Sequence, residues 1–411
     1  MKADRVTEVK SVADERFLLE NTLRPVWKFL FYNGVLRDFS RGEDESRAFY
    51  IARFTLTAII AIIILIYSVF LMFQLNVSFQ TDSTLLDKVF ITYTFVMTLS
   101  ALFFQCYYLI YQNELRQLFK EWNEIEIQCS TQINSYKNKI PKTVYSLCVA
   151  LLISSLGTMF YWNLTEKRNL VFYTYYSLIF ETFNISFMSL CQGIIMYFTQ
   201  LYFFLGEIVS TAFFYHAGCV IEDLSKELQD DCFSSSTSKN VLMSNVYVQF
   251  RNERPYHRIW TRYEKVLKCV KRGNTIFQSS VLCLHFSYFT FTCLSIFYLL
   301  KVYKDSGLFI FYSFVAITSL MILRTIMTNR LMSHPYLCRE QLKVTVVDVL
   351  CCKWDSLSDE DRQYLAAFHE RLGNENLAAM PFHLYTVCPS NLLSILSLIV
   401  TYVVVLLQVD V

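Results

Sequence analysis

Long runs of uncharged, mostly apolar residues recur along the chain and restrict its fold more than any other feature. An α-helix crosses the hydrocarbon core of a bilayer, about 30 Å thick, with about 20 such residues. We predict an all-α membrane protein with seven transmembrane helices. The seven predicted spans are 54–75, 89–111, 143–162, 187–215, 275–300, 309–327 and 391–411.

The composition agrees with this prediction. Charged residues make up 18% of the 411 residues, whereas soluble proteins carry about 25%. The net charge is +2 and no basic face is evident, so lipid rather than nucleic acid is the expected partner. No phosphate loop, HExxH or GxSxG motif predicts an enzyme. The thirteen cysteines fall in predicted membrane or cytoplasmic segments, so we interpret them as free thiols and predict no metal site or cofactor.

Basic residues and glycosylation sequons predict the same orientation. A cytoplasmic N-terminus places about 30 Lys and Arg residues inside and about five outside, as the positive-inside rule requires. The C-terminus is then extracellular. The three Asn-x-Ser/Thr sequons, at Asn76, Asn163 and Asn184, fall in or beside exterior loops, where glycosylation acceptors belong.

The spans and loops predict four regions. Residues 1–53 form a cytoplasmic N-terminal segment, 54–330 a bundle of six helices, 331–385 a cytoplasmic anchor segment and 386–411 the last helix. The N-terminal segment is too charged for a signal peptide. The polar residues Glu181 and Asn184 place 171–185 in an exterior loop, and Glu207 is expected near the cytoplasmic interface.

The anchor segment contains a helix with a clear start. Ser358 precedes three acidic residues, which stabilise a helix N-terminus, and Gly373 is expected to end this helix. An apolar stripe along the helix predicts either contact with another subunit or contact within the chain. The stripe consists of Tyr364, Leu365, Phe368 and Leu372.

The last predicted span carries its polar residues on one face. Ser394, Ser397, Thr401 and Gln408 are spaced by 3, 4 and 7, which places them on one line of an α-helix. Val404 or Val405 fills the gap between Thr401 and Gln408. Such a line either joins helices through hydrogen bonds or faces water.

The same residues resemble the closing signature of the insect gustatory receptor family. Thr401-Tyr402, five apolar residues and Gln408 match the pattern Thr-Tyr, five hydrophobic residues, Gln-Phe, except that Val409 replaces the final Phe. The resemblance implies a ligand-gated cation channel in the plasma membrane. It implies a homotetramer, or a heterotetramer with other gustatory subunits, in which the last helix lines a central pore. It therefore favours the water-facing interpretation.

The resemblance assigns roles along this helix. Val404, Val405 and Gln408 would form the narrowest part of the pore, where an aliphatic ring blocks ions by excluding water. Val409 alters the size of this gate. Asp410 would either form a carboxylate ring at the exterior mouth or be a solvated end. The predicted pore residues are Ser394, Ser397, Thr401, Val404, Val405, Gln408, Val409 and Asp410.

The resemblance also implies a ligand cavity in the exterior half of the bundle. Aromatic and hydroxyl side chains there suit a small organic ligand, although packing or an interfacial aromatic belt explains each of them as well. His285 is either a structural histidine or a ligand contact. The predicted ligand residues are Tyr93, Thr98, Ser155, Thr158, Tyr161, Trp162, Gln192, His285, Tyr288, Thr292 and Tyr312.

Other functions remain open on sequence alone. Val403 stands where sugar-sensing members of the family have Glu, which favours a bitter or other organic tastant. The alternatives are an odorant receptor, a seven-span metabotropic receptor with an exterior N-terminus, or a transporter with broken helices.

Overall fold

A computed structural model describes residues 19, 23, 47–80, 85–128, 185–233, 255–305 and 308–409 of the chain. Within these ranges the chain is helical almost throughout and contains no strand, so the predicted all-α fold class is confirmed. The α-helices are α1 Arg47–Gln80, α2 Leu85–Gln128, α3 Ile185–Phe233, α4 Pro255–Asp305, α5 Leu308–Met332, α6 His334–Cys352, α7 Asp359–Asn374 and α8 Pro389–Val409.

The helices contain six of the seven predicted spans. Helices α1 to α5 contain the first, second, fourth, fifth and sixth spans, and α8 contains the seventh up to Val409. The third predicted span, 143–162, and the predicted loop before α3 lie outside the described residues. In the described part of the chain, four helices have apolar segments long enough to cross a membrane, and α8 adds a shorter apolar segment, Pro389–Val405.

Three helices are much longer than a membrane is thick. Helices α2, α3 and α4 have 44, 49 and 51 residues, which correspond to about 66–77 Å at 1.5 Å per residue. The hydrocarbon core accounts for about 30 Å of this length. Residues 255–274, which precede the fifth predicted span, form the first part of α4.

Glycines inside these helices mark close helix contacts rather than helix ends. A Cβ atom built on Gly206 of α3 would lie 2.3 Å from the ring of Phe104 in α2, and one built on Gly273 of α4 would lie 2.2 Å from Phe213 in α3. Both rings are fully buried. The missing side chains let the helices approach each other closely enough to enclose these rings.

We expect Gly206→Ala to lower the free energy of unfolding by about 1–3 kcal/mol, because the new methyl group forces the buried Phe104 ring to move. Thermal unfolding of the purified protein in detergent measures this change. Gly373→Ala is the matched control, because its Cβ would lie 3.7 Å from the nearest atom, on Lys343, and alanine favours a helix by up to about 1 kcal/mol. Equal stability of the two variants would contradict the packing argument.

Helix α4 is the centre of the bundle and α1 lies at its edge. Helix α4 packs against α2, α3, α5, α7 and α8, whereas α1 packs mainly against α2. Large apolar side chains of α1, such as Ile62, Ile66 and Phe73, are exposed. An exposed apolar face of this length is what lipid would cover in a membrane.

Helices α6 and α7 pack on the extended ends of α3 and α4. Helix α6 lies along α3, where the hydroxyls of Ser225 and Thr345 are 2.8 Å apart. Ser358 caps α7 as predicted, because its hydroxyl accepts a hydrogen bond from the Asp361 amide at 3.1 Å. Helix α7 ends at Asn374, so Gly373 is its penultimate residue rather than the residue that ends it.

The apolar stripe of α7 makes a contact within the chain. Phe368 packs on Trp260 and Tyr263 of α4 at ring-centroid distances of 5.3 and 5.5 Å, and Tyr364 lies 4.6 Å from Trp260. Leu365 is also buried. These contacts favour the intrachain interpretation of the stripe.

The structure also describes some of the predicted thiols and sequons. The nine cysteines whose side chains are described are all free. Asn76 lies in the last two turns of α1 rather than in a loop, because α1 continues to Gln80. Asn163 and Asn184 lie outside the described residues.

Candidate functional site

Helix α8 has one face buried against its own chain. Ile399 and Val403 are 2% and 5% exposed and form a small apolar cluster with Cys293 of α4. Ile395, Leu396 and Leu407 pack around the cluster from the same side of α8. These apolar contacts favour the present rotation of α8 about its own axis, because turning the helix would expose the cluster.

The predicted polar line of α8 lies on the opposite side. Ser394, Ser397, Thr401 and Gln408 are all exposed, so none of the other described helices covers this line. Val404 and Val405 are exposed with it. A shallow open groove of about 550 Å³ follows this face, lined by Leu393, Ser394, Ser397, Leu398, Thr401, Tyr402 and Val405.

Two predicted pore residues lack a described side chain. Val409 is the last residue of α8, and nothing is described of its side chain. Asp410 lies outside the described residues. The roles predicted for Val409 and Asp410 therefore stay predictions.

Hydrogen bonds hold the segment before α8 against α4. The side chain of Asn274 donates to the carbonyl of Ala378 at 2.9 Å and accepts from the amide of Met380 at 3.1 Å. The next turn contains Phe382 and His383, whose φ angles of 50° and 58° lie in the left-handed region that side chains rarely adopt. Such strain persists only where neighbouring contacts hold the backbone in place.

His285 also holds the segment before α8 against α4. Its Nδ1 atom lies 2.6 Å from the hydroxyl of Tyr385, four residues before α8. Burial raises the pKa of the Tyr385 phenol, so this hydroxyl stays protonated and can donate to the imidazole. Of the two roles predicted for His285, this contact supports the structural one.

We expect Tyr385→Phe to lower the free energy of unfolding by about 1–3 kcal/mol, because it leaves His285 Nδ1 without its partner in a poorly hydrated site. Tyr364→Phe is a matched control, because Tyr364 forms an exposed hydrogen bond of 2.7 Å with His257 and water can replace it. Thermal unfolding of both variants measures the difference. A larger loss for the exposed pair than for the half-buried pair would contradict this role of Tyr385.

A second feature is an aromatic cluster that joins three helices. The ring of Tyr93 in α2 lies 4.8 Å from Phe291 in α4, and Phe203 in α3 lies 5.9 Å from Phe291 and 5.7 Å from Tyr288. Tyr93 and Tyr288 were predicted as ligand residues, and the structure brings them together through the two phenylalanines. Sequence analysis missed Phe203 and Phe291 because phenylalanine is common in every span.

A buried ion pair lies beside this cluster. Arg324 of α5 donates to Glu207 of α3 through Nε at 2.7 Å and also through a terminal nitrogen, and the two residues are only 7% and 4% exposed. Thr328 donates to the same carboxylate at 2.5 Å. The Arg324 guanidinium lies 3.8 Å from the Phe204 ring centroid and 5.2 Å from that of Tyr288.

This ion pair gives Glu207 a buried partner inside the bundle, whereas the sequence predicted only a position near the cytoplasmic interface. A charged group in an apolar span is costly unless it is paired inside the bundle. The sequence signal for this pair was the presence of one acidic and one basic residue, Glu207 and Arg324, in two predicted spans. The sequence did not show that these two residues pair with each other.

The remaining predicted ligand residues are dispersed or undescribed. Thr98 is buried and donates to the carbonyl of Thr94 in its own helix at 2.7 Å. Thr292 is buried, and its hydroxyl has no hydrogen-bond partner among the described residues. Side chains are not described for Gln192 and Tyr312, and Ser155, Thr158, Tyr161 and Trp162 lie outside the described residues.

The long apolar helices, the buried ion pair and the apolar edge define a membrane-embedded, multi-pass protein. The family model of the 7tm chemosensory receptor matches residues 23–411. The chain therefore belongs to the seven-transmembrane chemosensory receptor family.

Solved structures show the same fold. The insect olfactory receptor OR5 from Machilis hrabei is similar over 99% of this chain and 100% of that chain, with a TM-score of 0.63 and 14% identity. The complex of this receptor with eugenol is similar over 95% of this chain and 98% of that chain, with a TM-score of 0.67 and 16% identity. No curated protein matches the chain.

Proposed function

We propose that the chain is a gustatory receptor subunit that forms a tastant-gated, non-selective cation channel in the plasma membrane. Four subunits would surround a pore lined by α8. The observation that carries this proposal is the exposed polar line of α8, directed away from the chain that bears it. The family membership and the closing signature at Thr401, Tyr402 and Gln408 support it.

The chemistry of the polar line favours water over lipid. A hydroxyl can bond to its own helix, as Thr401 does with the Ser397 carbonyl at 3.0 Å. The amide of Gln408 carries two donors and an acceptor, and hydrocarbon would satisfy none of them. An aqueous conduit between copies of α8 would hydrate this amide and the hydroxyls below it.

A gate would arise from the aliphatic part of the same line. Val404 and Val405 lie between Thr401 and Gln408 and are exposed. Copies of these side chains around an axis would exclude water when close together and admit it when α8 moves outward or rotates. Helices α6 and α7, with the extended ends of α2, α3 and α4, would form the cytoplasmic anchor that holds the subunits.

The ligand would bind beside the aromatic cluster of Tyr93, Phe203, Tyr288 and Phe291. Aromatic walls with a few hydroxyls suit a small organic tastant. The eugenol complex of the Machilis hrabei receptor shows that a protein with this fold binds a small organic ligand. The structural similarity to that receptor also favours odorant reception as a second candidate function.

Electrical recording tests the proposal. The chain would be expressed alone in cells lacking other chemoreceptors, and excised patches would be exposed to bitter tastants, sugars and volatile odorants. We expect unitary cation currents from at least one class of compound without added nucleotides. Responses that require G proteins, or saturable transport without unitary currents, would contradict the channel proposal, and a response to volatile compounds alone would favour odorant reception.

A further inference from the structure

A cluster of potential metal ligands lies where α3 meets α6. Glu222 of α3 and His334 and Cys338 of α6 each offer one ligand atom, and these three atoms lie within 4.8 Å of one another. The Cys338 sulfur is 2.8 Å from His334 Nδ1. Because His334 and Cys338 are four residues apart on one helix, both side chains point to the same side, towards Glu222.

The surrounding residues position the histidine. Gly218 lies one turn before Glu222, and a Cβ atom there would be 2.8 Å from the His334 ring. The missing side chain lets the imidazole lie directly on the backbone of α3. Tyr215 packs against the same ring at a centroid distance of 4.9 Å. The histidine is therefore held between two residues of α3.

We propose that Glu222, His334 and Cys338 bind one Zn²⁺ ion that connects α3 to α6. Zn²⁺ prefers thiolate, imidazole and carboxylate ligands, at about 2.3, 2.0 and 2.0–2.2 Å. Tetrahedral angles at these bond lengths separate ligand atoms by about 3.3–3.7 Å. The three side chains need only small rotations to reach such spacing.

Solvent can reach the site, and its three ligands leave one coordination position open. Glu222 and His334 are half-buried and Cys338 is buried, so the ion can enter from solvent while its sulfur ligand stays protected. The fourth position is left for water. Binding would release the Cys338 proton, because the thiolate is the ligand.

Lys226 competes with the metal. Its Nζ atom lies 2.6 Å from Oε1 of Glu222, so the ammonium group balances the carboxylate when no ion is bound. Sequence analysis missed the site because its ligands come from two helices more than 100 residues apart. The adjacent pair Cys351-Cys352 at the end of α6 is exposed.

Metal titration of the purified full chain tests the proposal. The protein in detergent would be stripped with a chelator and titrated with Zn²⁺ against a coloured indicator. We expect one ion per chain, and Co²⁺ in its place should give a thiolate-to-cobalt charge-transfer band in the near ultraviolet. Cys338→Ser and His334→Asn should each weaken binding at least tenfold, which corresponds to about 1.4 kcal/mol.

Two further variants make the test selective. Cys351→Ser changes an exposed thiol on the same helix and should leave Zn²⁺ binding unchanged. Lys226→Met removes the competing cation and should tighten binding. Wild-type protein that binds no Zn²⁺, that gives a cobalt spectrum without the thiolate band, or that matches Cys338→Ser in affinity would overturn the proposal. The cobalt spectrum needs no substitution, so misfolding of a variant cannot obscure the result.

Discussion

Replacing Arg324 with methionine is expected to lower the free energy of unfolding by about 3–5 kcal/mol, because it leaves the Glu207 carboxylate buried without its cation. Methionine keeps an apolar stem but lacks the guanidinium that lies over the Phe204 ring, so the loss is mainly electrostatic. The apparent melting temperature in detergent and the amount of protein at the cell surface measure the effect. We expect both to fall sharply.

Two further variants separate the ion pair from a general effect of removing an arginine. Arg330→Met changes an exposed arginine of the same helix and should alter stability by no more than about 0.5 kcal/mol. Adding Glu207→Gln to Arg324→Met removes the unpaired charge while keeping an oxygen that accepts from Thr328, so most of the lost stability should return. A double variant as unstable as the single one would show that the pair does not act as a unit.

A cysteine placed at Thr401 is expected to make the current sensitive to a positively charged thiol reagent, with a loss of at least tenfold. Thiol reagents attack the thiolate, which forms in water and not in hydrocarbon. Each modified copy would add a positive charge to the pore and repel the permeating cations. A free-energy penalty of about 1.4 kcal/mol for a cation in the pore lowers its occupancy tenfold. Whole-cell current before and after the reagent measures the effect.

Three comparisons show whether Thr401 faces water, lipid or protein. Ile399→Cys lies on the buried face of α8 and should not react. Ile66→Cys lies on the exposed apolar face of α1 and should not react if lipid covers that face. Wild-type protein, with its exposed native thiols at Cys106, Cys351 and Cys352, gives the background. A Thr401→Cys current as insensitive as that of Ile66→Cys would remove the basis of the proposed pore.

Local patterns in the sequence predicted local features well. The start of α7 at Ser358 follows from one hydroxyl and three acidic residues, and the polar line of α8 follows from spacing that matches the helical repeat. Both depend on interactions between residues less than two turns apart. That α4 runs without a break from Pro255 to Asp305 was not predicted, because the change from charged to apolar residues near Thr275 marks where a span begins but not where a helix begins.

Contacts between residues far apart in the sequence could not be predicted from such local patterns. The sequence by itself determined that the chain is helical, apolar enough for a membrane, and equipped with a terminal helix that has one polar edge. Only the tertiary structure decided that this edge faces away from the chain, that Glu207 meets Arg324, and that His285 holds Tyr385. The reason is physical: helix formation depends on neighbours within a few residues, whereas the rotation and tilt of each helix depend on the combined packing of many side chains from the whole bundle.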